Sequence, residues 1–134
     1  MDDDTVLKLL FGALRDVNNP GSRLKAIEVL ARTPTDETIE EALIGALVYD
    51  EDPGVRLKAL EGLKQYANEA HVRVAFMKAL ANDPNAGIRI EAINALTARN
   101  PKDTELAKSI QEVAKKDDNS YIQTKALQFV GTAK

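Results

Sequence analysis

Apolar and polar residues follow a helical period along this chain. Val6, Leu10, Phe11 and Leu14 recur at the spacing i, i+4, i+5 and i+8, which places side chains on one face of a helix over residues 5–17. Similar spacing returns in the later segments, and no segment alternates with period two over the length of a strand. The pattern predicts an all-α fold of eight helices without a sheet.

A nine-residue segment recurs four times and divides the chain into nearly equal parts. Its copies begin at Ser22, Val55, Ile88 and Ile122, so successive starts are 33, 33 and 34 residues apart. A fixed period of this length indicates stacked supersecondary units that share a continuous core. We therefore predict one domain, residues 1–134, of four helix-turn-helix repeats at about 3–33, 34–67, 68–100 and 101–134.

Turn residues mark the expected helix starts. An Asn or Asp that can cap a helix precedes the second helix of every copy: Asn19, Asp52, Asn85 and Asn119. Thr33 and Asn100 are each followed by a proline, which favours the first turn of a helix. These two residues are therefore predicted to open the first helices of the second and fourth copies.

Equivalent positions of the second helices form columns of similar residues. One column is alanine in all four copies, which would let the two helices of a copy approach closely: Ala26, Ala59, Ala92 and Ala126. Two apolar columns complete the predicted buried stripe: Ile27, Leu60, Ile93 and Leu127, then Leu30, Leu63, Leu96 and Val130.

The outer copies differ from the inner ones at positions that should face a neighbour in the stack. The column of Val55 is polar only in the first copy, at Ser22, whereas two other columns turn polar only in the last copy, at Thr124 and Gln111. Terminal repeats need a polar outer face because nothing stacks on them. We therefore expect a complete four-repeat module that is monomeric.

Composition excludes several classes of function. The chain has no Cys and one His, so we expect neither a metal site nor a cofactor. The net charge is −3 and basic residues are interleaved with acidic ones, which argues against nucleic acid as a partner. No apolar run reaches the roughly 18 residues that span a bilayer. We expect a soluble protein without membrane contact of its own, either cytoplasmic or an extracytoplasmic domain of an anchored protein.

No constellation of catalytic residues is evident. His71 is followed by Val72 and has no second ligand or nucleophile nearby in the sequence, so it is interpreted as an exposed residue at a helix start. The chain also lacks a Gly-rich phosphate loop. We predict that it is not an enzyme.

Three arginines lie at the edge of the apolar stripe, where a guanidinium needs acceptors: Arg23, Arg56 and Arg89. Asp50 precedes Arg56 by six residues, and Asp83 precedes Arg89 by six. We interpret Asp50 with Arg56, and Asp83 with Arg89, as structural pairs.

This motif of an Asp, a turn with Asn/Asp-Pro, Val/Ile-Arg and a small residue three positions on resembles the HEAT repeats, and it covers essentially the whole chain. The resemblance implies a right-handed α-solenoid with its second helices on the concave side and Asp–Arg contacts between turns. Val17 in the first copy and Gln123 in the last depart from the motif, so the outer copies are not expected to complete that ladder. Residues 79–96 also resemble the HEAT segments of some bacterial, membrane-anchored anti-sigma-like proteins.

The resemblance implies a scaffold that binds a protein or peptide of unknown identity through the concave face. The alternative is a structural spacer or regulatory segment of a larger, possibly membrane-anchored anti-sigma-like assembly. Residues of the second helices opposite the apolar stripe form the predicted partner-binding set: Lys25, Glu28, Arg32, Lys58, Glu61, Gln65, Glu91, Asn94, Lys125 and Gln128.

Overall fold

The computed structural model describes residues 3–33, 36–98 and 103–133. Within these residues the chain forms eight α helices, one 3₁₀ turn at Lys64–Tyr66 and no strand, which confirms the predicted all-helical fold. The helices are α1 (Asp3–Leu14), α2 (Pro20–Arg32), α3 (Glu37–Tyr49), α4 (Pro53–Leu63), α5 (Ala70–Asn82), α6 (Ala86–Thr97), α7 (Thr104–Ala114) and α8 (Ser120–Ala133).

Each second helix begins after its predicted capping residue. The side chain of Asn19 accepts a hydrogen bond from the backbone N–H of Ser22, and Asn119 accepts one from Ile122. Asp52 and Asn85 do the same for the first turns of α4 and α6. These bonds satisfy N–H groups that have no partner inside the helix.

The first helices of the second and fourth copies begin later than predicted. The carboxylates of Asp36 and Asp103 accept hydrogen bonds from the backbone N–H groups of Ile39 and Leu106, and so cap α3 and α7. The predicted cap at Thr33 is wrong, because its hydroxyl donates to the Val29 carbonyl at the end of α2, at 2.8 Å. The predicted cap at Asn100 lies outside the described residues.

The helices group into two compact units, Met1–Lys64 and Gln65–Lys134. In unit 1, α1 packs on α2, α3 packs on α4, and α2 lies against α4. In unit 2, α5 packs on α6 and α7 on α8, while α6 lies against α8 and α5 against α7. Each unit is therefore two helical hairpins joined through their second helices, in line with two of the predicted repeats.

Apolar side chains from both hairpins fill the core of each unit. All four residues of the alanine column are buried, as are Ile27 on α2 and Ile93 on α6. The prediction for Leu127 is wrong, since its side chain is 61% exposed. Ile27 and Ile93 belong to helices that the second hairpin of their unit covers, whereas Leu127 lines an open cleft on α7 and α8. The side chain of Val130 lies outside the described residues.

Gly62 brings α4 unusually close to α2. A Cβ atom at this position would lie 2.7 Å from the Cβ of Ala31 and 3.2 Å from its Cα. Both atoms belong to or adjoin the backbone and cannot swing aside, so the helices could accommodate a larger residue only by separating. The corresponding residue 33 positions later, on α6, is Ala95, which is buried.

Candidate interaction surface

The exposed polar side of the two second helices in each unit, termed here the B face, contains most of the predicted partner-binding residues. On the B face of unit 1, Lys25 and Arg32 are exposed and Glu28 is half-buried. Lys58 and Glu61 form an ion pair on α4, with Nζ 3.5 Å from a carboxylate oxygen. Because α2 lies against α4, these charges occupy neighbouring helices.

The B face of unit 2 carries a different set of side chains. Asn94 on α6 is half-buried and accepts a hydrogen bond at 2.9 Å from the hydroxyl of Tyr121 on α8. Glu91 and Lys125 are half-buried, and Gln128 is exposed. Of the predicted set, Gln65 lies elsewhere, exposed in the 3₁₀ turn.

Tyr121 is a B-face residue that the sequence reasoning did not include. It is 45% exposed, and its hydrogen bond to Asn94 joins the two second helices of unit 2. Its position directly after a helix start suggested only a packed ring with a wet hydroxyl. The signal that could have identified it is the 27-residue separation from Asn94, which is close to one repeat period.

The Asp–Arg network of unit 1 links its two hairpins. The Nε and Nη2 groups of Arg23 donate to the two carboxylate oxygens of Asp50 at 2.9 and 3.2 Å, and Nη1 donates to the Asp16 carbonyl at 2.7 Å. Arg23 is buried, so this two-pronged bond satisfies a charge that would otherwise be costly to desolvate. We call an arginine bonded to its own turn and to the next turn's aspartate a rung.

Unit 2 contains an equivalent rung. Arg89 donates through Nε and Nη2 to the carboxylate oxygens of Asp117 at 2.9 and 3.3 Å, and through Nη1 to the Asp83 carbonyl at 3.0 Å. Asp117 follows Arg89 by 28 residues, so the carboxylate again comes from the next hairpin. The contacts between turns that the family resemblance implied are present within both units.

The atoms that join the predicted structural pairs differ from the expectation of a carboxylate near an arginine in one turn. Arg56 donates to the backbone carbonyls of Asp50 and Glu51, both at 3.0 Å, while the Asp50 carboxylate binds Arg23. Arg89 likewise reaches the Asp83 carbonyl rather than its side chain. A six-residue separation therefore indicates a bond to the backbone of the turn.

The first turn contains an aspartate that the repeat alignment overlooked. Asp16 accepts a hydrogen bond from the Asn18 N–H, just as Asp50 does from Asp52 and Asp117 from Asn119. The first turn has one extra residue, which put Val17 rather than Asp16 in the aspartate column. At the other end of the chain, Gln123 replaces the arginine and donates only to its own turn, at the Asp117 carbonyl.

Electrostatics keep the guanidinium of Arg23 charged. The hydrogen bond with Asp50 raises the pKa of Arg23, burial opposes this, and the charges of Asp50, Asp52 and Glu51 raise the pKa further. The net direction is upward from a value that is already high. The rung therefore holds a permanent positive charge and works as a structural contact.

A cleft of about 430 Å³ lies at the turns of unit 2, lined in part by Arg89, Lys116, Asp117 and Asp118. The guanidinium there is bound to Asp117, with Asp118 3.8 Å away. Its donors are thus used by the rung and are not presented to a ligand. The exposed His71, at the start of α5, is on another part of the unit.

The comparisons with known proteins give one finding. The model of the family described as HEAT repeats matches residues 40–131, which is more than half of the chain. No curated protein and no solved structure gave a match. HEAT repeats are generally protein-interaction scaffolds and generally non-catalytic. Among the residues that the structure describes, no helix combines the length and hydrophobicity needed to cross a membrane.

Proposed function

Because the chain belongs to the HEAT-repeat family, we propose that it is a non-catalytic scaffold that binds a protein or peptide through the B faces of its two units. In the predicted solenoid these faces form the concave side. The observation that supports the proposal best is the pairing of second helices, α2 with α4 and α6 with α8, which makes each B face continuous across two hairpins. Solenoids generally bind their partners on such extended surfaces.

The charges on the B face of unit 1 suggest how a partner would be oriented. Lys25 and Lys58 occupy equivalent positions on α2 and α4, and Glu28 and Glu61 form the matching acidic pair. A partner with complementary charges would meet rows of opposite sign. Such complementarity acts more on orientation and association rate than on affinity, and salt screens it.

The B face of unit 2 would supply polar contacts with less charge. Asn94 and Tyr121 offer an amide and a hydroxyl beside an exposed aromatic ring. Tyr is enriched at the energetic centres of protein interfaces because its ring buries area while its hydroxyl keeps a partner. We expect unit 2 to contribute affinity and unit 1 to contribute orientation.

The proposal is tested by affinity capture with three forms of the chain. Wild type is compared with Lys25→Glu/Lys58→Glu, which reverses two B-face charges, and with Lys8→Glu/Lys78→Glu. The last form makes the same charge change at exposed positions of the first helices α1 and α5. A partner of the B face should be captured by wild type and by the control, and lost from the B-face variant at low salt.

Thermal unfolding of each variant must accompany the capture experiment. Exposed charge reversals cost little stability, because surface ion pairs contribute roughly 0–1 kcal/mol. If the first-helix control loses the partner while the B-face variant keeps it, the binding face is wrong. If no protein is captured at any salt concentration, the alternative of a structural spacer in a larger assembly replaces the proposal.

A further inference from the structure

We propose that the outer side of the α7–α8 hairpin binds the α1–α2 hairpin of a second copy of this chain, head to tail. The tail surface consists of the residues around the open cleft on α7 and α8: Gln111, Ala114, Lys115, Gln123, Ala126 and Leu127. The head surface consists of Val6 and Leu9 on α1 and Ser22 on α2. This inference goes beyond binding at the B face and does not depend on it.

The tail surface has the shape and apolar character of a helix-binding cleft. It encloses about 280 Å³ between the two helices of the hairpin. Its floor contains Ala114 and Ala126, and Leu127 stands at its side, 61% exposed. A leucine exposed to this extent beside a groove loses little entropy and gains apolar contact when another helix covers it.

Repeat equivalence indicates what kind of element fits the cleft. Met77, Leu80 and Ile93 lie 34 residues before Gln111, Ala114 and Leu127. They belong to the α5–α6 hairpin, which the α7–α8 hairpin covers, and Leu80 and Ile93 are buried there. The same positions on α7 and α8 are thus built to receive a further helical hairpin.

The α1–α2 hairpin presents apolar side chains on the side that such a contact needs. Leu9 is 60% exposed and Val6 is 37% exposed, whereas Ile39, 33 residues after Val6, is 2% exposed. Leu9 and Phe11 differ by about 200° around α1, so they point to opposite sides of the hairpin. Phe11 shares its column with Gln111 of the tail surface, which places Leu9 on the opposite, head side.

The turn of the first hairpin also retains half of a rung. Asp16 accepts the same bond within its turn as Asp50, the aspartate that receives Arg23 from the preceding hairpin. Gln123 occupies the arginine position of the last hairpin. In a head-to-tail contact its amide is the group nearest in register to Asp16 of the next copy.

This inference opposes the monomer expected from the polar columns. Gln111 and Thr124 make the tail surface partly polar, but Leu127 on the same helix is exposed. The contact should therefore be weak, with a dissociation constant on the order of 0.1–1 mM. Because head and tail differ, the contact is heterologous and can add further copies.

Sedimentation equilibrium of the full chain tests the proposal. The average mass should rise above 14.6 kDa as the concentration approaches about 1 mM. Leu127→Glu and Leu9→Glu should each weaken association by about tenfold or more, since each buries a charge in the contact. Val74→Glu, at a position 55% exposed on α5, is the matched control and should associate like wild type.

Mixing the two variants distinguishes head-to-tail contact from symmetric contact. The Leu9→Glu chain keeps its tail surface and the Leu127→Glu chain keeps its head surface, so the mixture should form a dimer that neither forms alone. A monomeric wild type at the highest concentration overturns the proposal. So does a Leu9→Glu chain that associates like wild type, or a mixture that stays monomeric while both variants unfold at the wild-type temperature.

Gln123→Arg provides a test by gain of association. The introduced guanidinium would recreate a rung with Asp16 of the next copy and should tighten association by up to about fivefold, the range of an accessible ion pair. Asp16→Asn in the same chain should cancel the gain, because the amide keeps the bond within its turn and lacks the charge. A gain that persists in the double variant contradicts the predicted register.

Discussion

Unit 1 and unit 2 bind their hairpins together with the same rung and yet differ on their B faces. Arg23 with Asp50 and Arg89 with Asp117 share partners, atoms and distances to within a few tenths of an ångström. The B face of unit 1 carries charges of both signs, whereas that of unit 2 includes a hydrogen-bonded Tyr121 and Asn94. The shared part supports the fold, and the part that differs is where selection for a partner would act.

The two units also differ in how closely their second helices pack. Unit 1 has Gly62 where unit 2 has Ala95, and the glycine leaves no room for a Cβ beside Ala31. Both positions are buried. The same repeat pattern therefore tolerates a closer helix pair in one unit, and the cores need not respond equally to substitution.

The largest effect is expected from overpacking the alanine column. Ala59→Leu adds three carbon atoms at a fully buried position of α4 and should destabilise the chain by about 3 kcal/mol. Ala92→Leu makes the same change on α6 in unit 2. Chemical denaturation measures both free energies of unfolding. An unchanged midpoint for either variant would remove that alanine from the core.

Much of the fold could be predicted from the sequence because its signals are local or periodic. The caps at Asn19 and Asp52 and the burial of the alanine column follow from residue type and spacing. The rung acceptors could not be predicted, since a backbone carbonyl has no residue signature. One extra residue in the first turn hid Asp16, and the exposure of Leu127 depends on what packs against α8. The partner-binding set stays a prediction, because exposure alone does not distinguish a binding face from a solvated one.

An intermediate effect is expected from converting the rung of unit 2 into its terminal form. Arg89→Gln keeps a donor for the Asp83 carbonyl, as Gln123 does for Asp117, but loses both bonds to the Asp117 carboxylate. The loss should cost about 2 kcal/mol, typical of hydrogen bonds to a charged group. Gln123→Ala is the control and should change stability by no more than about 0.5 kcal/mol, as expected for a surface position. Equal effects of the two substitutions would show that the bond between hairpins contributes nothing.

The smallest effect is expected at Gly62, where two contributions oppose each other. Gly62→Ala should gain about 1 kcal/mol from helix propensity and lose roughly 1–3 kcal/mol from the contact with Ala31. The net result is a destabilisation of about 1 kcal/mol, measured by chemical denaturation. Ala31→Gly alone should also destabilise, since it lowers the helix propensity of α2.

The double variant Ala31→Gly/Gly62→Ala separates packing from propensity. It moves the methyl group from α2 to α4 and removes the 2.7 Å contact between Cβ atoms. Its free energy of unfolding should therefore exceed the value expected if the two single changes simply added. Additive effects would mean that α2 and α4 separate at no cost, and the closer packing of unit 1 would then have no energetic consequence.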